Sequence, residues 1–236
     1  SANVLNQIFE IETDRLMERT ANRPLVTGEI NKKSAYVYST SLGLVGFLVL
    51  YTQTTELAAF IALSANIFYS FIYTLVLKPR TNQNIVIGGA AGAAPVLIGW
   101  SATGTNLDTG SWLLFLLVFL WTPAHFWALS IDKLNDYKDA NFPMLPTQES
   151  YKRTSIFIGI YSCATVLTSL LLAPILQLGM VYLLLSLIFG LYLMYKSYQL
   201  YRKQIKAISY FVFSNTYLAV IFLSMVADIF ITLSSI

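Results

Sequence analysis

The amino-terminal segment carries three polar side chains spaced four residues apart. Asn6, Glu10 and Asp14 would lie along one face of a helix, because residues four apart are stacked about one turn above each other. Amide and carboxylate oxygens are ligands that a hard divalent cation such as Mg²⁺ prefers. The spacing therefore indicates either a cation site or the solvated face of an interfacial helix, and the stripe alone does not decide between them.

A second acidic pattern lies in DKLNDYKDANFPMLP, where Asp132 and Asp136 are again four residues apart. Three carboxylates held about 4 Å apart would repel one another by several kcal/mol per pair, so a cation would be needed to stabilise them. Mg²⁺ commonly bridges a few carboxylates to the oxygens of a substrate phosphate. The two patterns together predict a magnesium site made by Asn6, Glu10, Asp14, Asp132 and Asp136.

Basic side chains accompany the acidic patterns. Arg19 and Arg23 follow the first pattern, and Lys78 and Arg80 end the second long apolar run. Guanidinium and ammonium groups bind phosphate oxygens, so these four side chains are predicted to bind a diphosphate. His125, the only histidine, lies inside the apolar run that contains WTPAHFWAL. It is a candidate functional residue, and its alternative role is a hydrogen bond to a neighbouring helix.

The elements that must position these residues are long apolar helices. Hydrophobic residues make up 56% of the 236 residues and charged residues only 11%, which is too apolar for a water-soluble fold of this size. A helix of about 20 residues crosses the hydrocarbon core of a bilayer, and helices satisfy their own backbone groups there. Seven transmembrane helices are therefore predicted, near 34–51, 56–77, 84–102, 111–131, 154–173, 179–195 and 209–231.

The seven predicted spans assign the connecting segments to two faces of the membrane. By parity, residues 1–33, 78–83, 132–153 and 196–208 share one face, and all 15 Lys and Arg residues lie in or beside these segments. The positive-inside rule makes this face cytoplasmic, or the matrix face if the protein is mitochondrial. Both acidic patterns are then expected at the same face. The formal net charge of +3 is too small to indicate a nucleic-acid partner.

Several longer motifs resemble those of one family, the UbiA-type intramembrane prenyltransferases, and within it the heme O synthases. The motifs are NQIFEIETDRLMERTANRPLVTG with its RTxxRPL pattern, YTLVLKPR, GGAAGAAPVLIGW, WTPAHFWAL and DYKDANFPMLP. They cover nearly the whole chain in the family's order. The resemblance implies an all-α, polytopic transmembrane bundle, in which residues 1–236 form a single domain with seven of the family's nine spans and without its first two helices.

The resemblance also implies an activity and its participants. A Mg²⁺-dependent prenyltransferase would transfer the farnesyl group of farnesyl diphosphate to a vinyl group of heme B, giving heme O and diphosphate. The surrounding medium would be the lipid bilayer of a bacterial or mitochondrial inner membrane. Heme A synthase is the candidate protein partner.

The family's site residues carry over to positions of this sequence. Asp14, Asp136 and Lys78 would be catalytic. Arg19, Arg23, Lys78 and Arg80 would hold the diphosphate, and His125 would contact heme. Asp132 departs from the family's pattern, which often keeps only the position of Asp136.

Three other functional classes are alternatives to this interpretation of the sequence. Another UbiA-type prenyltransferase, with a quinone precursor or chlorophyllide as acceptor, would share the metal chemistry. A secondary transporter or ion channel would place ionisable groups near the bilayer midplane, whereas most acidic residues here lie in loops or at span ends on one face. An inactive assembly subunit would not need two acidic motifs on the same face.

Overall fold

A computed structural model describes residues 1–234, with side chains described through residue 231. Within that part of the chain every regular element is a helix, as predicted. Seven helices are long and apolar enough to cross a membrane, and we number them spans 1 to 7 in chain order. They are Lys32–Gln53, Glu56–Leu77, Asn84–Ala102, Thr109–Asp132, Tyr151–Ile175, Met180–Tyr201 and Ala207–Ile231, the last within a helix that runs to Ser234. The predicted spans are confirmed, and the largest difference is the end of span 6, which continues to Tyr201.

Shorter helices occupy two of the connecting segments. Ala2–Phe9, Ile11–Asp14 and Pro24–Thr27 precede span 1, and Leu134–Asp139 and Leu145–Gln148 lie between spans 4 and 5. These two segments carry the two acidic patterns. The chain divides into two compact units, the first formed by Ser1–Leu107 and Lys133–Gln148 and the second by Asp108–Asp132 and Glu149–Ile236. The expectation of a single domain stays a prediction.

In the first unit, spans 1, 2 and 3 pack in chain order, and the helix Ala2–Phe9 contacts spans 1 and 2. Span 3 is rich in small residues, and Gly88 allows it to pack closely against span 2. A Cβ at Gly88 would lie only 2.3 Å from Cδ2 of Tyr73, whereas a Cβ at Gly92 would meet nothing within 4 Å. At Gly88, therefore, the Tyr73 ring of span 2 occupies the space that a side chain on span 3 would need.

Span 2 changes its hydrogen-bonding pattern before it ends. Residues Phe68–Leu77 form a π-helix, and the N–H of Lys78 donates to the carbonyl of Tyr73 five residues earlier, at 2.8 Å. π-Helical turns are rare and are often found at functional sites. Here the wider turns lead directly into Lys78, a residue that the sequence assigned to diphosphate binding.

In the second unit, span 5 contacts spans 4 and 6, and span 7 contacts spans 4 and 6. The carboxylate of Asp228 is 4% exposed and accepts the backbone N–H groups of Gly179 and Tyr182 at the start of span 6. It therefore satisfies orphan donors and opposes the positive end of the helix dipole. This is a structural role, consistent with the absence of any chemistry assigned to Asp228 from the sequence.

Candidate functional site

The residues of the first acidic pattern lie on two short helices. The helix Ala2–Phe9 ends before Glu10, so the single continuous helix that the spacing predicted is interrupted. The one-turn register nevertheless survives, because the N–H of Glu10 donates to Asn6 O at 3.0 Å and the N–H of Asp14 donates to Glu10 O at 2.7 Å. Asn6, Glu10 and Asp14 are 8%, 6% and 3% exposed. Their burial argues against the solvated-face interpretation.

Glu10 forms an ion pair with Lys78 at the end of span 2. The ammonium Nζ of Lys78 donates to Glu10 Oε2 at 2.6 Å and lies 4.5 Å from the centroid of the Phe142 ring. Both side chains are largely buried, at 7% exposed for Glu10 and 17% for Lys78. Glu10 Oε1 is also buried, and no described residue donates a hydrogen bond to it. One carboxylate oxygen of Glu10 therefore has an unused acceptor position.

Asp14 forms a second ion pair, with Arg23. The guanidinium of Arg23 donates to Asp14 Oδ2, and the Asp14 side chain is only 4% exposed. Two local features hold this pair: the Thr20 hydroxyl donates to the Asp14 carbonyl at 2.8 Å, and Arg23 is the extended residue that precedes a helix begun by Pro24. Each carboxylate of the first pattern is thus paired with a cation that was predicted to bind diphosphate.

Asn6 is tied to the π-helix through Thr74. Asn6 Nδ2 donates to Thr74 Oγ1 at 3.2 Å, and the Thr74 hydroxyl donates to the carbonyl of Tyr69 at 2.9 Å. Because the single hydroxyl proton is used toward Tyr69, Thr74 accepts from Asn6, which fixes the amide nitrogen on this side. The amide oxygen of Asn6 is therefore left available as a ligand.

The segment between spans 4 and 5 reaches the same site through Phe142. The helix Leu134–Asp139 ends in a Schellman motif: Phe142 N–H donates to Tyr137 O at 3.0 Å, Asn141 N–H donates to Lys138 O at 3.0 Å, and Asn141 has φ 53°. Asparagine tolerates this left-handed backbone better than most residues. The turn places the Phe142 ring beneath Lys78.

A buried apolar cluster joins the segments that carry the two acidic patterns. Its members are Met17, Ile85, Tyr137, Ala140, Phe142 and Met144. Met17 follows Asp14 by three residues, and Tyr137 follows Asp136 directly. Asp14 and Asp136 therefore belong to segments packed into one core, as expected if they lie at the same face of the membrane. Asp136 itself is half-buried.

The other predicted site residues lie outside this buried arrangement. Arg19 and Arg80 are exposed, and Arg80 makes a long contact of 3.4 Å with the carbonyl of Leu75. Asp132 is the exposed last residue of span 4, in the second unit. Among the described side chains, no three His, Cys, Asp or Glu residues form a group that could hold a metal ion. The predicted magnesium site therefore stays a prediction.

His125 lies in the second unit and is 5% exposed. Its ring stacks between those of Trp121 and Phe211, with centroids 4.2 Å away on each side, and Nδ1 lies 2.7 Å from Ser214 Oγ. The Ser214 hydroxyl donates to the Phe211 carbonyl at 2.7 Å, so it accepts from Nδ1–H. His125 thus makes the interhelical hydrogen bond that was its alternative role, and Nε2 keeps its lone pair.

Sequence reasoning missed three residues that shape the site. Thr74 and Phe142 contact Asn6 and Lys78, as described. Asn84 is fully buried at the start of span 3, and its amide donates to Thr81 O at 2.7 Å, which closes the turn after Lys78. A polar residue near the end of an apolar span was the available signal for Thr74, and Asn141 followed by Pro143 was the signal for the turn at Phe142.

The fold and the site define a polytopic α-helical integral membrane protein with a buried cluster of paired acidic and basic groups. Residues 1–226 match the model of the UbiA prenyltransferase family. The chain belongs to that family.

Curated relatives extend the similarity over almost the whole chain. The chain is 42% identical over 230 residues to the protoheme IX farnesyltransferase of Thermus thermophilus. That alignment covers 97% of this chain and 38% of the Thermus protein. The chain is 41% identical over 233 residues to the protoheme IX farnesyltransferase of Clavibacter sepedonicus, covering 97% of this chain and 76% of that one. The chain thus spans well under half the length of the Thermus relative.

Solved structures share the fold at lower sequence identity. A structure of a digeranylgeranylglyceryl phosphate synthase superimposes with a TM-score of 0.77 at 22% identity, covering 96% of this chain and 80% of that one. A UbiA homologue from Archaeoglobus fulgidus, bound to DMAPP and Mg²⁺, gives a TM-score of 0.63 at 16% identity, covering 95% and 82%. These likenesses establish the fold.

Proposed function

We propose that the protein is a heme O synthase, which transfers the farnesyl group of farnesyl diphosphate to a vinyl group of heme B. The observation that carries the choice of substrates is the 41% identity, over 76% of its length, to the protoheme IX farnesyltransferase of Clavibacter sepedonicus. The geometry supports the same chemistry, because the pairs Lys78–Glu10 and Arg23–Asp14 bring together carboxylates that suit a metal and cations that suit a diphosphate. The seven spans would form most of one nine-span domain.

The first acidic pattern offers oxygen ligands of the kind that a magnesium ion prefers. Glu10 offers a buried oxygen without a hydrogen-bond donor, and Thr74 leaves the Asn6 amide oxygen available. Asn6, Glu10, Asp14 and Asp136 would hold Mg²⁺, with Asp132 as a further candidate from the sequence. The binding of DMAPP with Mg²⁺ by the Archaeoglobus fulgidus homologue supports a divalent cofactor. When bound, Mg²⁺ would neutralise charge that develops on the departing diphosphate.

The basic side chains would bind and orient the other end of the diphosphate. Lys78 and Arg23 are already at the acidic residues, and the exposed Arg19 and Arg80 could swing toward a substrate without losing a buried contact. Their hydrogen bonds to phosphate oxygens would strengthen as the allylic carbon–oxygen bond breaks and both electrons leave with the diphosphate. Lys78 and Asp14 are therefore the proposed catalytic residues of this segment, together with Asp136.

The allylic cation would then be captured by heme. A vinyl carbon of heme B forms the new bond to the farnesyl carbon, water adds to the resulting heme cation, and one proton is released. The apolar spans would exclude bulk water until capture is complete. His125 would contact heme through Nε2, which is the ring nitrogen left with a lone pair by the hydrogen bond from Nδ1 to Ser214.

The charge distribution and the product support a proposal for the orientation, membrane and partner of the protein. The site would face the cytoplasm or the mitochondrial matrix, because the segments that carry the basic residues should stay on that side. Heme O leaves with an oxidisable methyl group on its ring, so heme A synthase is the proposed partner that receives it. The membrane would be a bacterial or mitochondrial inner membrane.

The test is a reaction with the full-length protein reconstituted in lipid nanodiscs. Incubation with heme B, farnesyl diphosphate and Mg²⁺ should give heme O, identified by chromatography and mass, and chelation of the metal should abolish it. Prenylation of a quinone precursor or chlorophyllide instead of heme would contradict the proposed acceptor. A His125→Ala variant with unchanged heme affinity and turnover would remove His125 from the heme site.

A further inference from the structure

The two ion pairs of the site have a consequence for the order in which its ligands bind. Glu10 and Asp14 are proposed metal ligands, yet each is already neutralised by a buried or half-buried cation, Lys78 and Arg23 respectively. Removing one partner from a buried ion pair is strongly unfavourable, because the other charge is left uncompensated. A ligand that displaces either cation must therefore offer it a new anionic partner.

A free divalent cation does not meet this condition. It would add two positive charges beside the Lys78 ammonium, which lies 2.6 Å from Glu10 Oε2 and is held over the Phe142 ring. Like charges in such a site oppose each other strongly. Even a metal ion bound only through Glu10 Oε1 would draw charge from the carboxylate that Lys78 binds through Oε2, and a free ion offers the ammonium no new anion.

A metal–diphosphate complex does meet the condition. Its phosphate oxygens can accept hydrogen bonds from Lys78 and Arg23 while the metal takes over the carboxylates, so every buried charge keeps a partner. We infer that Lys78 and Arg23 act as internal counter-ions that exclude free Mg²⁺ from the site and admit it only together with the prenyl diphosphate. This inference rests on the proposed function and adds the order of binding to it.

Lys78 is the better of the two cations to test, because its ammonium is a point charge with one carboxylate partner and one aromatic partner. Replacing Lys78 with Met keeps an unbranched apolar side chain over Phe142 and removes the charge. Glu10 would then lack its counter-ion, and a free divalent ion could supply it. The variant should therefore bind the metal alone better than the wild type and bind the diphosphate worse.

The experiment measures Mn²⁺ binding to the full-length protein in nanodiscs, by the electron paramagnetic resonance signal of the free ion. Without any diphosphate, Lys78→Met should bind Mn²⁺ about tenfold more tightly than the wild type, because a competing charge is gone. Its affinity for farnesyl thiodiphosphate, an unreactive substrate analogue, should fall by about tenfold because a charged donor is lost. The gain in Mn²⁺ affinity should disappear in the double variant Glu10→Gln, Lys78→Met.

The matched control is Lys138→Met, which removes the same charge from an exposed position in the segment between spans 4 and 5. Equal Mn²⁺ affinities for Lys78→Met and Lys138→Met would overturn the inference. If Lys78→Met does not fold, Lys78→Gln keeps a donor for Glu10 without the charge and carries the same expectation. A wild type that binds no Mn²⁺ even with the analogue would overturn the proposed metal site itself, and the inference with it.

Discussion

At the scale of single residues, the site depends on side chains that would touch neither metal nor substrate. The Thr74 hydroxyl accepts a hydrogen bond from the Asn6 amide nitrogen and donates one to the Tyr69 carbonyl within the π-helix of span 2. Partners that orient a metal ligand typically change metal affinity or activity by about 10- to 100-fold when they are removed. Thr74 is therefore expected to matter as much as some of the ligands.

Replacing Thr74 with Val should weaken metal binding while leaving the shape of the side chain almost unchanged. Without the hydroxyl, Asn6 Nδ2 loses its acceptor and the amide is free to turn its oxygen away from the site. We expect the affinity for Mn²⁺, measured with farnesyl thiodiphosphate present, to fall by about tenfold. Thr74→Ser should restore it.

The control for this prediction is Thr165→Val in span 5. Thr165 is also buried, at 1% exposed, and its hydroxyl donates to the Tyr161 carbonyl one turn earlier. It lies in the second unit, away from the first acidic pattern along the chain. Equal losses of metal affinity in Thr74→Val and Thr165→Val would mean that Thr74 has only a general role in helix packing.

At the scale of elements, the end of span 2 is shaped by a close contact with span 3. Gly88 faces the ring of Tyr73, and the Tyr73 carbonyl accepts the N–H of Lys78. Displacement of the Tyr73 ring should therefore shift the backbone turn that positions the Lys78 ammonium. The absence of a side chain at Gly88 is what permits the π-helix to pack here.

Two glycine substitutions in span 3 should change stability in opposite directions. Gly88→Ala places a Cβ at 2.3 Å from a Tyr73 ring carbon and should destabilise the protein by about 1–3 kcal/mol, because the ring must move. Gly92→Ala has open space and should raise stability by up to about 1 kcal/mol through helix propensity. Thermal unfolding in detergent measures both, and a stabilised Gly88→Ala would contradict the packing described.

The loss at Gly88 should also be visible in ligand binding. We expect weaker binding of farnesyl thiodiphosphate by Gly88→Ala and unchanged binding by Gly92→Ala. The sequence could predict that span 3 packs closely, because it is rich in Gly and Ala. It could not say which glycine meets which ring, because that depends on the register between two helices.

At the scale of the whole molecule, the distribution of basic residues predicts how the chain is oriented in its membrane. All 15 Lys and Arg residues lie in or beside the segments that parity assigns to one face. A charge bias of this size strongly favours retention of those segments in the cytoplasm or matrix. The segment between spans 3 and 4, which has none of these residues, should lie on the opposite face.

Cysteine labelling can test this orientation. With Cys163 replaced by Ser, a single cysteine is introduced at Lys138, which is exposed on the short helix Leu134–Asp139, or at Thr105, which is exposed in the loop between spans 3 and 4. In bacterial membranes a membrane-impermeant maleimide should label Lys138→Cys in inside-out vesicles and Thr105→Cys in intact spheroplasts. Labelling of both positions from the same side would rule out the assignment of faces.

The sequence by itself determined the helical class, the seven spans and the family. The length of the apolar segments, the positions of the charged residues and the order of the motifs can all be seen in the linear sequence. It also identified the residues of the buried ion pairs, since rare charged and amide groups stand out in an apolar sequence. Only the tertiary structure decided their pairing: Lys78 with Glu10, Arg23 with Asp14, and Asn6 with Thr74. Lys78–Glu10 and Asn6–Thr74 each join residues 68 positions apart and depend on how span 2 and its π-helix pack against the first segment. Arg23 and Asp14 are only nine positions apart, but their pairing depends on the irregular turns between them.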